Sequence, residues 1–401
     1  MSLGDYELPS YNQHANNRAP ADPQVEHTYR LTRNGRPFVT LAMKSGAVDA
    51  DHTPLMHQGQ TLSGSITLDL YDGVNVRSLN VQVIGELKLQ LNAHHRFLSM
   101  RTELYTAETR DIPSNQPRER GVSIAYDENR KKFLLPSSVK DSATKFSIDY
   151  HVVVHVKTGF LSSGHKLVCP FEYIPILRPS LPSLLHQIAR LEGTSILGPY
   201  DDPEGWKTLS AVDMSGRLFN SKRVVMTCTL SVPLPLCYTR GTSISIHLVL
   251  SSEDEQALGI LCSPHAPKVH LIRTLTYPHA GYMLSTFGES ARPQISYTEE
   301  VASTAFSVTA TNVNNHSESS TNTRVLCGQL SVPGNLVPEF HMLSYDMQYS
   351  IAIYPFEAVG FTPGAPVRKP LLEQTVQIVT ANADMPQGPS VAPPNYIAEF
   401  P

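Results

Sequence analysis

The sequence predicts an all-β chain built as two tandem immunoglobulin-like β-sandwiches with disordered termini. Two observations carry that expectation. Apolar and polar residues alternate with period two on both sides of a central stretch that does not alternate. In addition, 31 prolines and 23 glycines among 401 residues favour many short strands and turns over long helices. The length fits two domains of roughly 150 residues with a linker and tails. The expected layout is a tail over 1–24, a first sandwich over 25–178, a connection over 179–222, a second sandwich over 223–380 and a tail over 381–401.

Residues 1–24 are rich in Asn, Pro, Gln and Ala, and bury too little apolar surface to offset the entropy of ordering. The strand pattern begins at Gly59. Ile66, Leu68 and Leu70 alternate with polar partners, and Tyr71-Asp72-Gly73-Val74-Asn75 reads as a turn. Leu79, Val81 and Val83 continue the alternation, followed by Leu87, Leu89 and Leu91. Residues 106–120, polar and broken by Pro113 and Pro117, read as a long loop. The clearest strand covers 146–157, where Phe146, Ile148, Tyr150, Val152, Val154 and Val156 face one way. A helix would repeat its apolar set every three to four residues instead. Residues 158–166 then turn the chain, and 167–176 return as a strand.

Within 179–222 only Leu184-Leu185-His186-Gln187-Ile188-Ala189-Arg190-Leu191 has helical spacing. It reads as one short structural helix, against the alternative of an amphipathic turn that touches a membrane or a partner. Residues 201–208 are polar and turn-rich. Strands resume over 223–233 and 242–250, where Ile244, Ile246, Leu248 and Leu250 alternate with polar neighbours, and again over 269–277, 324–332, 339–352 and 374–380. Residues 298–323, dense in Ser, Thr and Asn, read as a mobile or edge segment. Residues 381–401 form a polar, proline-rich tail.

A hydrophobic content of 41% supports real cores, while 17% charged residues lies below the usual ~25%. A net charge of −4 gives no support to a nucleic-acid partner, which requires clustered cationic surface. Arg130-Lys131-Lys132, the longest basic run, fits a solvated turn. Cys169, Cys228, Cys237, Cys262 and Cys327 form no even framework and no C-x-x-C, a pattern that suits a reducing compartment. The first thirty residues lack a basic start followed by an apolar run, and no apolar stretch approaches the ~20 residues that span a bilayer. Neither end carries a lipidation signal. The expectation is a soluble, cytoplasmic protein.

No catalytic constellation stands out, so the chain is not expected to be an enzyme. His151 and His155 lie ~13 Å apart on one strand face, too far for one metal ion, and fit a solvated face. His94 and His95 point to opposite faces of a strand. G-x-S-x-G, H-E-x-x-H and glycine-rich phosphate loops are missing. Asp201-Asp202, Glu299-Glu300 and Glu253-Asp254-Glu255 read as hydrated carboxylates in polar turns, and Asn315-His316-Ser317 is a formal glycosylation acceptor without a secretory signal. Neither a cofactor nor a metal is expected.

What remains is a pair of proline–tyrosine tetrapeptides, Leu8-Pro9-Ser10-Tyr11 and Pro393-Pro394-Asn395-Tyr396, one in each tail. A Pro-Pro-x-Tyr segment suits a WW domain. Its prolines pre-set a polyproline II twist that stacks in an aromatic groove at little entropic cost, and the tyrosine fills a second pocket. The N-terminal copy has Leu8 where the full motif has proline.

The stretch His57-Gln58-Gly59-Gln60-Thr61-Leu62-Ser63-Gly64-Ser65-Ile66-Thr67-Leu68 resembles the early strands of the arrestin N-domain. Val76-Arg77-Ser78-Leu79-Asn80-Val81-Gln82-Val83-Ile84-Gly85-Glu86 is similar to the strand that follows. Residues 146–156 and Val168-Cys169-Pro170-Phe171-Glu172-Tyr173-Ile174-Pro175 resemble the pair that closes that domain, and 223–250 more loosely the start of the C-domain. With the proline–tyrosine motifs, the chain looks like an α-arrestin, a fungal-type arrestin-related trafficking adaptor. That resemblance implies a cytoplasmic adaptor recruited to the plasma membrane or endosomes, with peripheral membrane contact. Its β body would recognise a plasma-membrane transporter or receptor as cargo. Pro393, Pro394 and Tyr396, with Leu8, Pro9 and Tyr11 as a second copy, would recruit a WW-domain HECT-type ubiquitin ligase. Ubiquitin is then attached to the cargo, which is internalised by endocytosis. The buried charged cluster with which visual-type arrestins sense phosphorylated receptors is not identifiable from sequence. The alternative on the same fold is a retromer-like sorting scaffold that binds cargo without a ligase. A lectin-like secreted sandwich is disfavoured by the cysteines.

Overall fold

Twenty-three strands, two short α-helices and one 3-10 turn (Pro203–Gly205) make up the computed structural model, which describes residues 25–70, 75–89, 93–107, 124–126, 132–159, 163–278, 293–308, 322–342 and 344–383. The protein is all-β, with curled sheets in a sandwich-like arrangement. In chain order, β1 is Val25–Arg33, β2 Arg36–Ser45, β3 Leu55–His57, β4 Ser63–Leu68, β5 Val76–Leu89 and β6 Ala93–Thr106. They are followed by β7 (Ile124–Tyr126), β8 (Lys132–Leu134), β9 (Val139–Asp141), β10 (Phe146–Thr158) and β11 (Ser163–Ile174). Helix α1 is Leu184–Glu192, after which come β12 (Trp206–Thr208), β13 (Val212–Leu218), β14 (Lys222–Pro233), β15 (Cys237–Thr239) and β16 (Ser243–Ser251). Helix α2 is Glu255–Leu261. The chain continues with β17 (Lys268–Pro278), β18 (Gln294–Val308), β19 (Thr323–Ser331), β20 (Phe340–Met342), β21 (Tyr345–Tyr354), β22 (Phe361–Pro363) and β23 (Leu372–Val379).

The chain divides into two compact units. One comprises Met1–Val83, Arg101–Pro117 and His151–Glu172, the other Ile84–Met100, Arg118–Tyr150 and Tyr173–Pro401. In the first, β1 and β2 meet in a hairpin closed by Asn34 and Gly35, with φ of 51° and 75°. Both residues at positive φ give the turn whose twist matches that of the strands it joins. On β2, Val39, Leu41, Met43 and Ser45 alternate inward, and Ser45 Oγ meets the buried His27 Nε2 at 2.8 Å. This hairpin lies ahead of Gly59, where the alternation was expected to begin. The Asn-Gly pair is its sequence signal.

In the second unit the twelve-stranded sheet runs β15-β23-β21-β17-β18-β19-β16-β14-β13-β22, with β12 also paired to β14 and β20 to β21. Its long β18 pairs with β17 through residues 294–303 and with β19 through 304–308, and so passes from one layer to the next. Alternating inward positions fill the interior. Met226, Cys228, Leu230 and Val232 on β14, Ile246, Leu248 and Leu250 on β16, and Met347, Tyr349, Ile351 and Ile353 on β21 are all buried. The five cysteines are free thiols, and burial pushes Cys169 and Cys228 up to about 12, as expected of small hydrophobes.

Two expectations need correction. Residues 298–308 are not a mobile or edge segment but part of the interior strand β18. Their Thr and Ser content is strand-compatible because the hydroxyls bond across strands: Thr298 meets Thr274 at 3.0 Å, and Ser307 Oγ donates to Cys327 O at 3.3 Å. Residues 309–321 lie outside the described residues. Within 179–222 the expected helix is present, but residues 206–208 and 212–218 are strands β12 and β13, both paired with β14. Residues 1–24 and 384–401 of the expected tails, the turn at 71–74 and most of the loop over 106–120 also lie outside the described residues.

Gly328 on β19 faces Phe306 of β18 directly, and a Cβ there would stand 2.6 Å from Thr304 Cγ2 and 2.8 Å from the Phe306 ring. Gly328→Ala is therefore expected to destabilise the fold by about 1–3 kcal/mol, despite the usual gain from removing a strand glycine. Urea denaturation measures it, and an unchanged midpoint would mean that Phe306 swings clear.

Candidate functional site

The residues singled out for WW-domain binding, Leu8, Pro9, Tyr11, Pro393, Pro394 and Tyr396, lie outside the described residues. The point from which the C-terminal tail departs is described. After β23, Thr380 Oγ1 donates to Pro175 O at 2.7 Å and accepts from Leu177 N at 2.9 Å, and Ala381 N donates to Leu177 O at 3.0 Å. The tail thus starts from a fixed anchor beside the segment that leads into α1.

Sequence reasoning located no buried charged cluster, but the second unit holds one. Arg273 sits mid-strand on β17, opposite Glu299 of β18 on one side and Tyr349 of β21 on the other. Its Nη2 lies 2.8 Å from Asp141 Oδ2 and 2.5 Å from Glu299 Oε1, with side-chain exposures of 14% for Arg273, 9% for Asp141 and 27% for Glu299. Asp141 ends β9, and its Oδ1 accepts from Ala143 N at 2.9 Å, which shapes the turn into β10. Burial pushes the Tyr349 hydroxyl up to about 12, partly offset by the positive charge of Arg273, and it donates to Val337 O at 2.7 Å. One extra residue, Val301, bulges from β18 and brings Glu299 opposite Arg273, while Glu300 Oε1 stands 2.9 Å from His270 Nδ1.

A cleft of about 450 Å³ opens beside the cluster, lined by Lys140, Arg273, Glu299, Asn335 and neighbours. Its lining contains neither histidine nor cysteine, and the guanidinium is committed to two carboxylates. The arrangement holds strands together.

A second constellation mimics a catalytic triad at the foot of α1. Ser183 Oγ, the N-cap, accepts from His186 N at 3.2 Å and donates to Asp202 Oδ2 at 2.5 Å. Asp202 Oδ1 accepts from Gly205 N at 3.1 Å. His186 Nε2 lies 3.5 Å from Asp202 Oδ2, without hydrogen-bond geometry. The serine proton therefore goes to the carboxylate and not to the imidazole, so the set caps a helix and activates no nucleophile. The ring edges of His186 and His247 flank Trp206 at 5.8 and 6.3 Å between centroids. Both histidines are buried, at 5% and 8% exposure, and burial depresses both below the usual imidazole range.

The acidic runs are less hydrated than expected, because turn carboxylates accept helix N–H groups and meet strand cations. Asp202 is buried, Glu299 pairs with Arg273, and Asp254 caps α2 through Gln256 N and Ala257 N with Lys222 Nζ at 2.6 Å. His151 and His155 are half-buried rather than fully solvated, with His155 Nε2 3.3 Å from Gln82 Oε1. His94 turns to Glu86 at 3.1 Å and His95 to the Tyr345 ring. Among the described residues no group of three or more His, Cys, Asp or Glu side chains could hold a metal ion, and no helix is long and apolar enough to cross a membrane. No family model matches the chain, and no curated protein matches it.

Arg273→Ala strips two half-buried carboxylates of their shared cation and is expected to cost about 3 kcal/mol in urea denaturation, with Asp141→Asn costing less because the turn hydrogen bond survives. Histidines depressed in the folded state bind fewer protons than in the unfolded chain. Their contribution is complete above the unfolded value of about 6.5 and shrinks as pH falls below it. The melting temperature is therefore expected to drop between pH 7.5 and 5.5, and His186→Asn/His247→Asn to flatten that slope whatever it does to the plateau.

Proposed function

We propose that the chain is a cytoplasmic adaptor that joins membrane-protein cargo to a WW-domain HECT-type ubiquitin ligase, so that the cargo is ubiquitinated and endocytosed. The observation that carries this reading is Pro393-Pro394-Asn395-Tyr396, an intact WW ligand in the tail that follows an all-β body. Leu8-Pro9-Ser10-Tyr11 supplies a weaker second site, since Leu8 replaces the first stacking proline. In this reading the body is not an enzyme. It binds a plasma-membrane transporter or receptor, is recruited to the plasma membrane or endosomes, and requires no cofactor. The triad-like set at α1 supports the non-catalytic reading, because the Ser183 hydroxyl donates its hydrogen bond to Asp202 and not to an imidazole.

A single tetrapeptide offers few contacts against the cost of ordering a tail, so each site alone binds weakly, and two sites facing several WW domains gain through avidity. Tyr396→Ala is expected to remove most capture by immobilised tandem WW domains, Tyr11→Ala to cost less, and the double variant to fall to background with an unchanged melting temperature. Undiminished capture of the folded double variant would defeat the ligase reading and favour a sorting scaffold of retromer type.

A further inference from the structure

Helix α1 is turned inside out. Leu184, Leu185, Ile188 and Leu191, at i, i+1, i+4 and i+7, form one face with Leu181 just before it, yet their exposures are 69%, 40%, 40%, 60% and, for Leu181, 48%. The residues that α1 buries are His186 and Ala189. An amphipathic helix on a globular body ordinarily hides its apolar stripe. This one is prevented from rolling inward by its polar foot, where Ser183 caps the first turn and holds Asp202, and His186 packs on Trp206. Gly193, at φ 66°, fixes the other end, with Thr194 N donating back to Ala189 O at 2.9 Å.

We propose that this stripe is a membrane-contact element that takes loosely packed, weakly charged lipid surfaces such as those of strongly curved vesicles. Two features select that occupant. The only formal charges on α1, Arg190 and Glu192, cancel, so neither an anionic bilayer nor a charged protein groove is attracted to it. A patch of this kind covers a few hundred Å². That is well below the ~800 Å² per partner of a stable interface, so a second copy of the chain is not held by it. A bilayer sets no such threshold, because interfacial helices bind in proportion to the apolar area they bury. The proposal goes beyond the ligase reading and does not depend on it, since the tetrapeptides lie elsewhere in the sequence.

The test is flotation of the full-length protein with phosphatidylcholine vesicles of small and large diameter, each with and without phosphatidylserine. Binding is expected to be several-fold higher on small vesicles, and phosphatidylserine to change it by less than about twofold. Leu184→Gln/Ile188→Gln/Leu191→Gln is expected to lower binding about tenfold with an unchanged melting temperature, because these side chains already face solvent. Should the triple variant misfold, Leu191→Ser must weaken binding by itself. Tyr396→Ala must leave flotation intact and the stripe variant must leave WW-domain capture intact, so that each reading fails separately. The proposal is overturned by a wild type that does not float, by a folded triple variant that floats equally, by an absolute need for phosphatidylserine, or by a solution dimer that the triple variant dissolves.

Discussion

Arg273 on the inward face of β17 is the constraint around which the larger unit is arranged. A guanidinium does not escape burial by losing its proton, so the fold must bring it compensating charge. Glu299 arrives from the neighbouring strand only because a bulge at Val301 sets the register, and Asp141 arrives from a turn far earlier in the chain. The two oxygens of Asp141 divide the work, one shaping the turn after β9 and the other holding Arg273. The strand that follows this turn begins with Phe146, which stacks on Phe340 at 5.7 Å and leans on Tyr345. Residues 139–146 are thus fastened to β17 by one ion pair and to β20 and β21 by two aromatic contacts, beyond the pairing of β9 with β10.

Much of the β architecture is legible because burial on one face writes period two into the sequence. The stretch 146–157 is the clearest case, and β14, β16, β17, β21 and β23 follow within a few residues. Helix α1 is legible from its spacing, with Ser183 and Gly193 marking its ends. What escapes has specific causes. The β1–β2 hairpin is hidden from a search for apolar alternation, and only the Asn34-Gly35 turn signal marks it. Strand β18 passes for a loop since Thr and Ser on an exposed sheet face share loop composition, although their hydroxyls satisfy one another across the ladder. The Arg273 cluster cannot be read at all: Asp141 and Arg273 are 132 positions apart, and nothing local distinguishes either from a surface charge.

Helix α1 shows how one short segment carries two roles that look exclusive in sequence. Its polar residues make the attachment and its apolar residues are left outside. By periodicity alone the leucines belong to a core and the histidine to solvent, and the fold reverses both. The reversal follows from hydrogen-bond arithmetic. A nine-residue helix has many unsatisfied N–H groups relative to its length, and the body supplies Ser183 and Asp202 to cap it and the turn beside it.

The three hydrogen bonds that join Thr380 and Ala381 to residues 175–177 set a leash. From Ala381 to Tyr396 the sequence has fifteen peptide links, which reach at most ~50 Å. Covalent geometry alone therefore keeps position 396 within that distance of the three bonds at residues 175–177 and 380–381, wherever the intervening chain goes.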